Sequence, residues 1–424
     1  MAKRSMETKA STILRLVDPA KRDGGVAPAS PTVEWLLHEG WTVTDPTELI
    51  ERLAASLVAE GIPLSRLLVF LKSLHPQIAG VRYTWRRETG RVKTWSASHS
   101  ALQTAVYQDS PVAAIIEDSV GSIRRQLDIR HPKLDYPILQ KLLAEGMTDY
   151  LAIPMVFSDG EISAITFTTD RDGGFSAYEV KQISDLTRVL ARLLEAHAVR
   201  RTAKNLLNTY LGRHTGERVL RGLINRGDSE DINAVIWFCD LRDSTAMADS
   251  MPRTAFLGIL NDFFDCVAGP VLDHGGEVLR FIGDAALAIF PTGTSSSGID
   301  RGCCDVVSAC HAALAAAKDA QARIRALNDT RARKSEPPLR FGLALHMGEV
   351  TYGNIGVPQR LEFTVIGAAA NKAARLESLC KILDQPVLIS SDFKRCFPEE
   401  LVSLGFHSLR GVSAHQEIFT LPAD

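Results

Sequence analysis

The sequence predicts a mixed α/β protein in which two folded units are joined by a helical connector. Three observations support this prediction. The chain has 424 residues, more than one hydrophobic core usually holds. Helix-type and strand-type segments alternate in both halves, with a long helical pattern between them. Apolar residues make up 45% of the chain and charged residues 23%, which is typical of soluble globular proteins.

The charge balance excludes several classes of partner. The 48 Lys and Arg residues nearly match the 50 Asp and Glu residues, so the formal net charge is -2. No overall positive field attracts nucleic acid or an anionic membrane. We find no apolar run of the roughly 20 residues that span a bilayer, and no signal-peptide pattern. We therefore expect a cytoplasmic protein that binds no nucleic acid and has no membrane span.

The seven cysteines show no CxxC spacing, so neither a disulfide framework nor a zinc site is expected. Residues 1–30 include the Gly-, Pro- and Ser-containing stretch "KRDGGVAPASP", which predicts a flexible N-terminus. Folded structure is expected from about Pro31 onward.

The first unit reads as helix, strands, helix and hairpin. A helix is predicted over about 46–60, with Pro near its start and Gly at its end. Strands are expected in "SRLLVFLKSL" and "GVRYTWRRE", and a second helix in "YPILQKLLAEG". Ser158-Asp159-Gly160 separates two β-rich runs and predicts a hairpin.

This order of elements, closed by "GGFSAYEV" and a long helix, resembles a GAF-like sensory domain over residues 31–195. The resemblance implies regulation by an effector, a small molecule or a protein, whose identity the sequence does not give. The alternative is a dimerisation scaffold without a ligand, because a fold does not fix a function.

A helical connector is predicted over 176–227, overlapping the closing helix of the first unit. Ser176 is the expected N-cap, and the helix is expected to run to about Leu211. Apolar residues follow the 3,4 spacing of a heptad seam at Ile183, Leu186, Leu190 and Leu193. Such a stripe belongs either to a coiled coil between two chains or to a helix packed on its own domain.

The second unit is expected over 232–424 and carries two carboxylates at strand ends. Asp240 closes the apolar run "NAVIWFCD", and Asp284 lies at the turn of "GGEVLRFIGDAALAIF". Taken singly, they fit a helix N-cap and a turn residue. Together, a strand end and a hairpin tip can be neighbours in one sheet. Two adjacent carboxylates repel unless a cation lies between them, and oxygen ligands suit Mg²⁺ or Mn²⁺.

Asn371 and Arg375 are four residues apart in the predicted helix "AAANKAARLESLC", so they share one face. A solvated helix face is the simpler interpretation. Their neighbours Ala373 and Leu376 are small or apolar, which indicates that the helix is packed and that the Asn and Arg can face a ligand.

Four segments of the second unit, in order and with appropriate spacing, resemble the signature blocks of class III nucleotidyl cyclases. They are "FCDLRDST", "GGEVLRFIGDAALAIF", "LRFGLALHMGEVTYGNIG" and "FTVIGAAANKAARLE". The resemblance implies a ferredoxin-like α/β catalytic core that forms a head-to-tail homodimer, with active sites built across the interface from both chains.

By position in these blocks, the family's two metal-binding aspartates correspond to Asp240 and Asp284. The backbone carbonyl of Leu241 is a further metal-ligand candidate. The residue that positions the ribose corresponds to Asn371, and the cation that stabilises the transition state to Arg375. The resemblance implies two Mg²⁺ or Mn²⁺ ions in each active site.

The remaining positions concern the phosphates and the base. Phosphate-binding positions fall on Arg340 and, in the C-terminal "LRGVSAHQEIF", on Arg410. The two base-reading positions fall on Arg280 and Thr364. Adenylate cyclases usually carry Lys at the first of these and guanylate cyclases Glu. Because Arg has no hydrogen-bond acceptor, it does not fit the guanine mode.

We therefore expect an adenylate cyclase that converts ATP to 3',5'-cyclic AMP and pyrophosphate. Because Arg280 replaces the usual Lys, two alternatives stay open. One is a cyclase with relaxed selectivity between ATP and GTP, and the other is a weak or silent cyclase-like domain that regulates by binding nucleotide. A diguanylate-forming enzyme is not favoured, because the sequence contains no GGDEF-like block.

Overall fold

The computed structural model describes residues 30–292, 306–410 and 415–422. The chain divides into two compact units, Met1–Leu206 and Leu207–Asp424. The predicted flexible N-terminus lies outside the described residues, apart from Ser30. Each unit is built around its own β-sheet.

The first unit contains a six-stranded antiparallel sheet with the strand order β3-β2-β1-β6-β5-β4. Its strands are β1 Arg66–Lys72, β2 Ile78–Arg86, β3 Val92–Ser98, β4 Ile123–Gln126, β5 Asp149–Val156 and β6 Ile162–Thr169. The hairpin predicted around Asp159 is the β5–β6 connection. The sequence analysis missed β3, because most of its side chains are exposed and show no apolar alternation.

Short helices cover both faces of this sheet. They are α1 Pro31–His38, α2 Pro46–Ala59, α3 Ala105–Gln108, α4 Pro111–Ile116 and α5 Pro137–Ala144. Pro lies in the first turn of α2, and the Asp45 side chain accepts a hydrogen bond from the Thr47 amide. The predicted helix over 46–60 is therefore confirmed, with a capping residue that the pattern alone did not identify.

The long helix α6 spans Ala177–Leu211, and the boundary between the two units falls inside it. It begins with a capping box, since the Glu179 amide donates to Ser176 Oγ and the Ser176 amide donates to the Glu179 carboxylate. This confirms Ser176 as the N-cap. Ile183, Leu186 and Leu190 are buried in the core of the first unit, so this part of the stripe packs on its own unit.

The second unit contains an eight-stranded sheet with the main order β13-β14-β12-β10-β7-β9-β8, and β11 pairs with β10. Its strands are β7 Ser229–Leu241, β8 Glu277–Ile282, β9 Ala285–Pro291, β10 Phe341–Val357, β11 Arg360–Ile366, β12 Val387–Ser390, β13 Val402–His407 and β14 Gln416–Thr420. Strands β7 to β10 are antiparallel and lie in the order β10-β7-β9-β8. This is the strand order of a ferredoxin-like core, as expected.

Helices cover the second sheet, and two apolar cores lie on its two faces. The helices are α7 Arg213–Leu220, α8 Ser244–Ser250, α9 Arg253–Val267, α10 Gly269–Asp273, α11 Val306–Arg333, α12 Ala368–Ile382 and α13 Ser391–Cys396. Helices α9, α10 and α11 contribute to one core, and α12 packs with β11 in the other. The five cysteines among the described residues are free.

One helical segment among the described residues, Arg253–Asp273, is long and apolar enough to cross a membrane by length and composition alone. The sequence analysis passed over it because polar residues interrupt it. In the structure it is two helices, α9 and α10, which meet at Ala268. Phe263, Val267 and Val271 from this segment are fully buried in the core of the second unit, whereas 28% of its apolar window as a whole is buried.

Candidate active site

Two aspartates lie next to each other at one end of the second sheet. In the β-ladder, Asp240 of β7 is opposite Ala285, the first residue of β9. Asp284 directly precedes Ala285 in the two-residue turn of the β8–β9 hairpin, after Gly283 at φ 64°. A two-residue turn with positive φ matches the twist of the hairpin strands. The strand pairing therefore brings the two predicted carboxylates together.

The electrostatics of this pair fit a cation site. Burial, followed by the neighbouring Asp284 carboxylate, raises the pKa of Asp240 above its usual range. Asp240 Oδ1 is buried and has no hydrogen-bond partner within the described part of the chain. A divalent cation would satisfy this oxygen and remove the repulsion, so the residues present fit Mg²⁺ or Mn²⁺.

The described residues contain no group of three or more His, Cys, Asp or Glu side chains arranged to hold a metal. Two carboxylates would therefore need further oxygen ligands from backbone, water or phosphate. Mg²⁺ commonly uses such a set, with one or two carboxylates and the phosphates of a substrate. Leu241, the predicted backbone ligand, follows Asp240 and pairs with Phe341, and its side chain is buried.

A buried ion pair lies beside the aspartates. Arg242 Nη2 is 2.7 Å from Glu377 Oε1 and 3.2 Å from the Glu377 carbonyl oxygen. The pair links the end of β7 to α12. A Cβ at position 342 would overlap both charged groups, so this close approach requires Gly342.

The charges of Asp240 and Asp284 also act on the Glu377 carboxylate. Burial raises the pKa of Glu377 to about 7, the Asp240 and Asp284 charges add to the increase, and Arg242 opposes it. The sequence analysis did not select Arg242 or Glu377, although both lie inside the cyclase-like blocks. Only their positions in these blocks could have identified them: Arg242 follows Asp240 by two residues, and Glu377 follows Arg375 by two residues.

Arg340 lies at the same end of the sheet as the aspartates. Its carbonyl accepts a hydrogen bond from the Arg242 amide, and its Nη2 is 2.8 Å from Asp243 Oδ2. Arg340 and Arg242 line an open cleft of about 540 Å³, with further charged side chains at Asp243, Arg325, Lys381 and Asp384. The predicted phosphate-binding Arg340 is therefore exposed and close to the carboxylate pair.

Asn371 and Arg375 lie on a different face of the molecule. Both side chains are exposed on α12, whereas Glu377 on the same helix is buried. Glu377 follows Arg375 by two residues, which places it about 200° further around the helix. Within one chain, the exposed Asn371–Arg375 pair therefore lies opposite the Glu377 side of α12, which is the side close to the aspartates.

The two predicted base-reading residues lie on β8 and β11, and an ion pair between Arg280 and Glu362 connects these strands. Arg280 Nη1 is 3.0 Å from both carboxylate oxygens of Glu362, and Glu362 precedes Thr364 by two residues on β11. Residues i and i+2 of a strand face the same side. The sequence analysis did not select Glu362, since its contact with Arg280 depends on the packing of two strands far apart in sequence.

Arg410, the second phosphate-binding candidate, is exposed in a turn after β13. The next four residues, 411–414, lie outside the described part of the chain. The structure therefore places Arg410 on the surface, away from the strand pairings that define the carboxylate pair.

Residues 228–419 match the model of the adenylate and guanylate cyclase catalytic domain family. An uncharacterized protein of Mycobacterium tuberculosis is 32% identical over 223 residues, which are 53% of this chain and 38% of that protein. An adenylate cyclase of Anabaena cylindrica is 30% identical over 176 residues, which are 41% of this chain and 32% of that protein. The chain thus spans well under half the length of these curated relatives.

Among solved structures, the adenylyl cyclase CyaB from P. aeruginosa is 23% identical, with a TM-score of 0.38. The alignment covers 46% of this chain and 96% of that chain. The matched region of the family model contains the carboxylate pair, Arg280, Thr364, Arg340, Asn371 and Arg375. By this match, residues 228–419 are similar to the catalytic domain of the adenylate and guanylate cyclase family.

Proposed function

We propose that the protein is an adenylate cyclase that converts ATP to 3',5'-cyclic AMP and pyrophosphate at the interface of a homodimer. The observation that carries the proposal is the pair of adjacent aspartates with an unpartnered buried oxygen at Asp240. This pair lies in a region that matches a cyclase catalytic family. A merely structural carboxylate pair would be expected to have its own ion-pair partner, whereas Arg242, whose charge lowers the pKa of Asp240, forms its ion pair with Glu377.

In the proposed reaction, the ribose 3'-hydroxyl releases its proton to water as its oxygen attacks the α-phosphorus, the bond from the α-phosphorus to the oxygen that bridges to the β-phosphate breaks, and pyrophosphate leaves. Asp240 and Asp284 would hold Mg²⁺ or Mn²⁺, which supplies positive charge beside the hydroxyl and the phosphates when bound. Arg340, exposed at the same end of the sheet, binds terminal phosphate oxygens. Arg375 presents a guanidinium fork to the charge that develops on phosphate oxygens, and Asn371 positions the ribose.

The base-reading pair favours ATP over GTP. Arg280 can donate to the acceptor nitrogen N1 of adenine, and the Thr364 hydroxyl can accept from the adenine amino group. A guanine ring presents donors at its N1 and its amino group, which the guanidinium of Arg280 cannot accept. The relative from Anabaena cylindrica is named an adenylate cyclase, which agrees with this choice.

Two observations support a homodimer as the working form. First, Asn371 and Arg375 lie on the side of α12 opposite Glu377, so one chain does not complete the proposed site. Second, Phe281 and Ile282, next to Asp284 on the hairpin, are 52% and 43% exposed. Exposed apolar residues beside a functional group are typical of a protein interface.

The test is complementation between two inactive variants. Asp284→Ala and Arg375→Ala are each expected to lose cyclic AMP formation. In a random mixture, about half the dimers carry both variants, and each of these has one intact site of two, so activity recovers to about one quarter of wild type. Products are identified by chromatography after incubation with ATP or GTP and either Mg²⁺ or Mn²⁺.

The matched control mixes Asp284→Ala with Asp240→Ala. Both changes affect the same half of the site, so this mixture should stay inactive. Absence of recovery in the first mixture, although differently tagged chains copurify, would contradict the shared site. Absence of product from the wild-type protein in every combination would contradict the proposed function itself.

A second candidate function is a silent cyclase-like regulator that binds nucleotide. The observation in its favour is that Arg280, the first base-reading residue, already donates to both carboxylate oxygens of Glu362. Bound ATP without product formation would support this candidate.

We also propose that the N-terminal unit regulates the cyclase domain in response to an effector. The helix α6 is continuous across the unit boundary. After Gly212, the short helix α7 places Thr215 against Glu277, the first residue of the hairpin strand β8. This contact connects the start of the second unit to the hairpin that carries Arg280 and Asp284.

A further inference from the structure

The further inference concerns Glu362, a residue with no assigned role in the proposed active site, and it depends on the proposed function. Glu362 lies on β11. One nitrogen, Arg280 Nη1, donates to both carboxylate oxygens of Glu362 at 3.0 Å. The Arg280 and Glu362 side chains are 38% and 50% exposed. The contact is therefore accessible to a ligand.

Two buried polar atoms beside this ion pair are unsatisfied. Arg280 Nε and Thr364 Oγ1 have no hydrogen-bond partner among the residues that the structure describes. A buried polar atom without a partner costs about 1–3 kcal/mol, so such atoms are rare in a finished fold. Thr364 follows Glu362 by two residues on the same face of β11. The unsatisfied atoms and the carboxylate thus form one cluster.

The three side chains of this cluster have different hydrogen-bonding capacities, and this difference can distinguish adenine from guanine. Arg280 only donates, Thr364 donates and accepts, and Glu362 supplies the strong anionic acceptor. Guanine presents two adjacent donors, at N1 and at its amino group, and a carboxylate is the group that pairs with both. Adenine presents one acceptor and one donor, for which Arg280 and Thr364 suffice.

We propose that Glu362 is a specificity-determining residue that selects ATP over GTP by forming the ion pair with Arg280. The ion pair fixes the guanidinium as a donor toward adenine. It also offsets the negative charge of the carboxylate and holds it toward the guanidinium, which makes it a weaker acceptor for the donors of guanine. Glu362 acts through Arg280 and is a positioning residue in the proposed reaction.

The experiment compares Glu362→Gln with wild type in the full-length chain, with ATP and GTP as separate substrates. The amide keeps the size of the side chain but removes the charge that holds Arg280. We expect kcat/KM for ATP to fall about two- to fivefold, the size typical of a partly exposed ion pair. The change should appear mainly in KM, and the preference for ATP over GTP should decrease.

A double-mutant cycle separates this role from a general structural effect. In the Arg280→Ala background, Glu362 no longer has its partner, so Glu362→Gln should have no further effect on ATP. Arg280→Ala alone frees the carboxylate and should raise the relative use of GTP. The matched control is Glu400→Gln, an exposed carboxylate between α13 and β13, which should leave both substrates unchanged.

An unchanged ATP to GTP ratio in Glu362→Gln would overturn the inference, as would an equal effect of this change with and without Arg280. Equilibrium binding of a fluorescent ATP or GTP analogue gives a readout that does not require turnover. If the wild-type chain binds ATP but forms no product, the proposed activity fails while the inference is still tested by the binding ratio. Absence of nucleotide binding would overturn both.

Discussion

Asp149 in the first unit and Asp240 in the second are both carboxylates within a β-sheet, and their surroundings differ completely. Asp149 is fully buried and accepts hydrogen bonds from Arg124 Nε at 3.0 Å, Arg124 Nη2 at 2.6 Å and the Phe175 amide at 3.1 Å. Asp240 is half-buried, lies beside the Asp284 carboxylate and leaves one oxygen without a partner in the described chain.

The two carboxylates differ in what they do: Asp149 stabilises the fold, whereas the fold leaves an oxygen of Asp240 available to a ligand. Arg124 and a backbone amide compensate the buried charge of Asp149 within its own unit, as expected of a structural group. The fold of the second unit brings two like charges together, and the charge of Arg242 only partly offsets their effect on the pKa of Asp240. Such an arrangement is retained where a ligand supplies the missing partner.

The largest expected effect comes from exchanging each aspartate for asparagine. Asp149→Asn weakens the interaction with Arg124, which is partly exposed, and should lower the free energy of unfolding of the first unit by about 2–3 kcal/mol. Asp240→Asn removes a like-charge repulsion and should not destabilise the second unit. It should instead lower cyclase activity about 10²- to 10³-fold.

Urea unfolding, followed separately for each unit, measures the changes in stability, and product formation measures the change in activity. Because a chain with two compact units is not expected to unfold in a single two-state transition, the transitions are fitted one by one. Equal destabilisation by the two substitutions would show that Asp240 is a structural residue and would remove the distinction.

A smaller effect is expected from a third buried titratable group, His346 of β10. Its Nδ1 lies 2.8 Å from Ser390 Oγ and 3.7 Å from Asp392 Oδ2. Burial lowers the pKa of His346 to about 4, the Lys372 charge adds to the decrease, and Asp392 opposes it. The imidazole is therefore buried in its neutral form.

The folded-state pKa of His346 is below its unfolded value of about 6.5, so the unfolded chain binds the proton more readily. With respect to His346, the folded chain is most stable above about pH 6.5, where the imidazole is neutral in both the folded and the unfolded chain. This stability is lost as the pH falls from about 6.5 to about 4, because the unfolded chain takes up the proton first. The loss should be about 3 kcal/mol, and His346→Gln should remove this part of the pH dependence. Chemical denaturation at several pH values would reveal it, and an unchanged slope in the variant would contradict the assignment.

The smallest effect is expected at Thr215, whose hydroxyl donates to Glu277 Oε1 at 2.9 Å. Like Asp149, the Glu277 carboxylate is buried and satisfied, here by Thr215 and by the Tyr352 hydroxyl at 2.8 Å. Thr215→Val keeps the shape and removes the hydrogen bonds of the hydroxyl to Glu277 and to the Tyr352 hydroxyl at 2.9 Å, which should cost about 1–2 kcal/mol. If α7 transmits regulation, basal activity should also change.

Thr254→Val, at an exposed position near the start of α9, is the matched control and should alter neither stability nor activity. A Thr215→Val protein with wild-type stability would show that water replaces the hydroxyl. A loss of stability without any change in activity would mean that α7 supports the fold without regulating the enzyme.

Much of the fold was predictable from local sequence. The helix α2, the strands β1 and β2, the β5–β6 hairpin and the N-cap at Ser176 follow from periodicity, turn residues and capping chemistry, which depend on neighbours in sequence. The edge strand β3 was missed because its exposed side chains show no alternation. The apolar stripe of α6 was ambiguous, and its packing on the core of the first unit depended on tertiary contacts.

The candidate site was predictable where a residue lies inside a recognisable block, as with Asp240, Asp284 and Asn371. It was not predictable where the relevant partner comes from a distant strand or helix. Glu362 meets Arg280 across 82 positions of sequence, and Glu377 meets Arg242 across 135 positions. No local pattern marks such pairs, because their proximity results from sheet order and helix packing.

The sequence by itself determined the two-unit α/β organisation and the residue types that resemble a cyclase site, since these follow from short-range patterns. Only the tertiary structure decided that Asp240 and Asp284 are neighbours with an unpartnered oxygen. The same is true of Arg280, which is bound to Glu362, and of Arg375, which lies on the side of α12 opposite Glu377. These features depend on strand register and on the rotation of a helix about its axis, which are fixed only when the whole core packs.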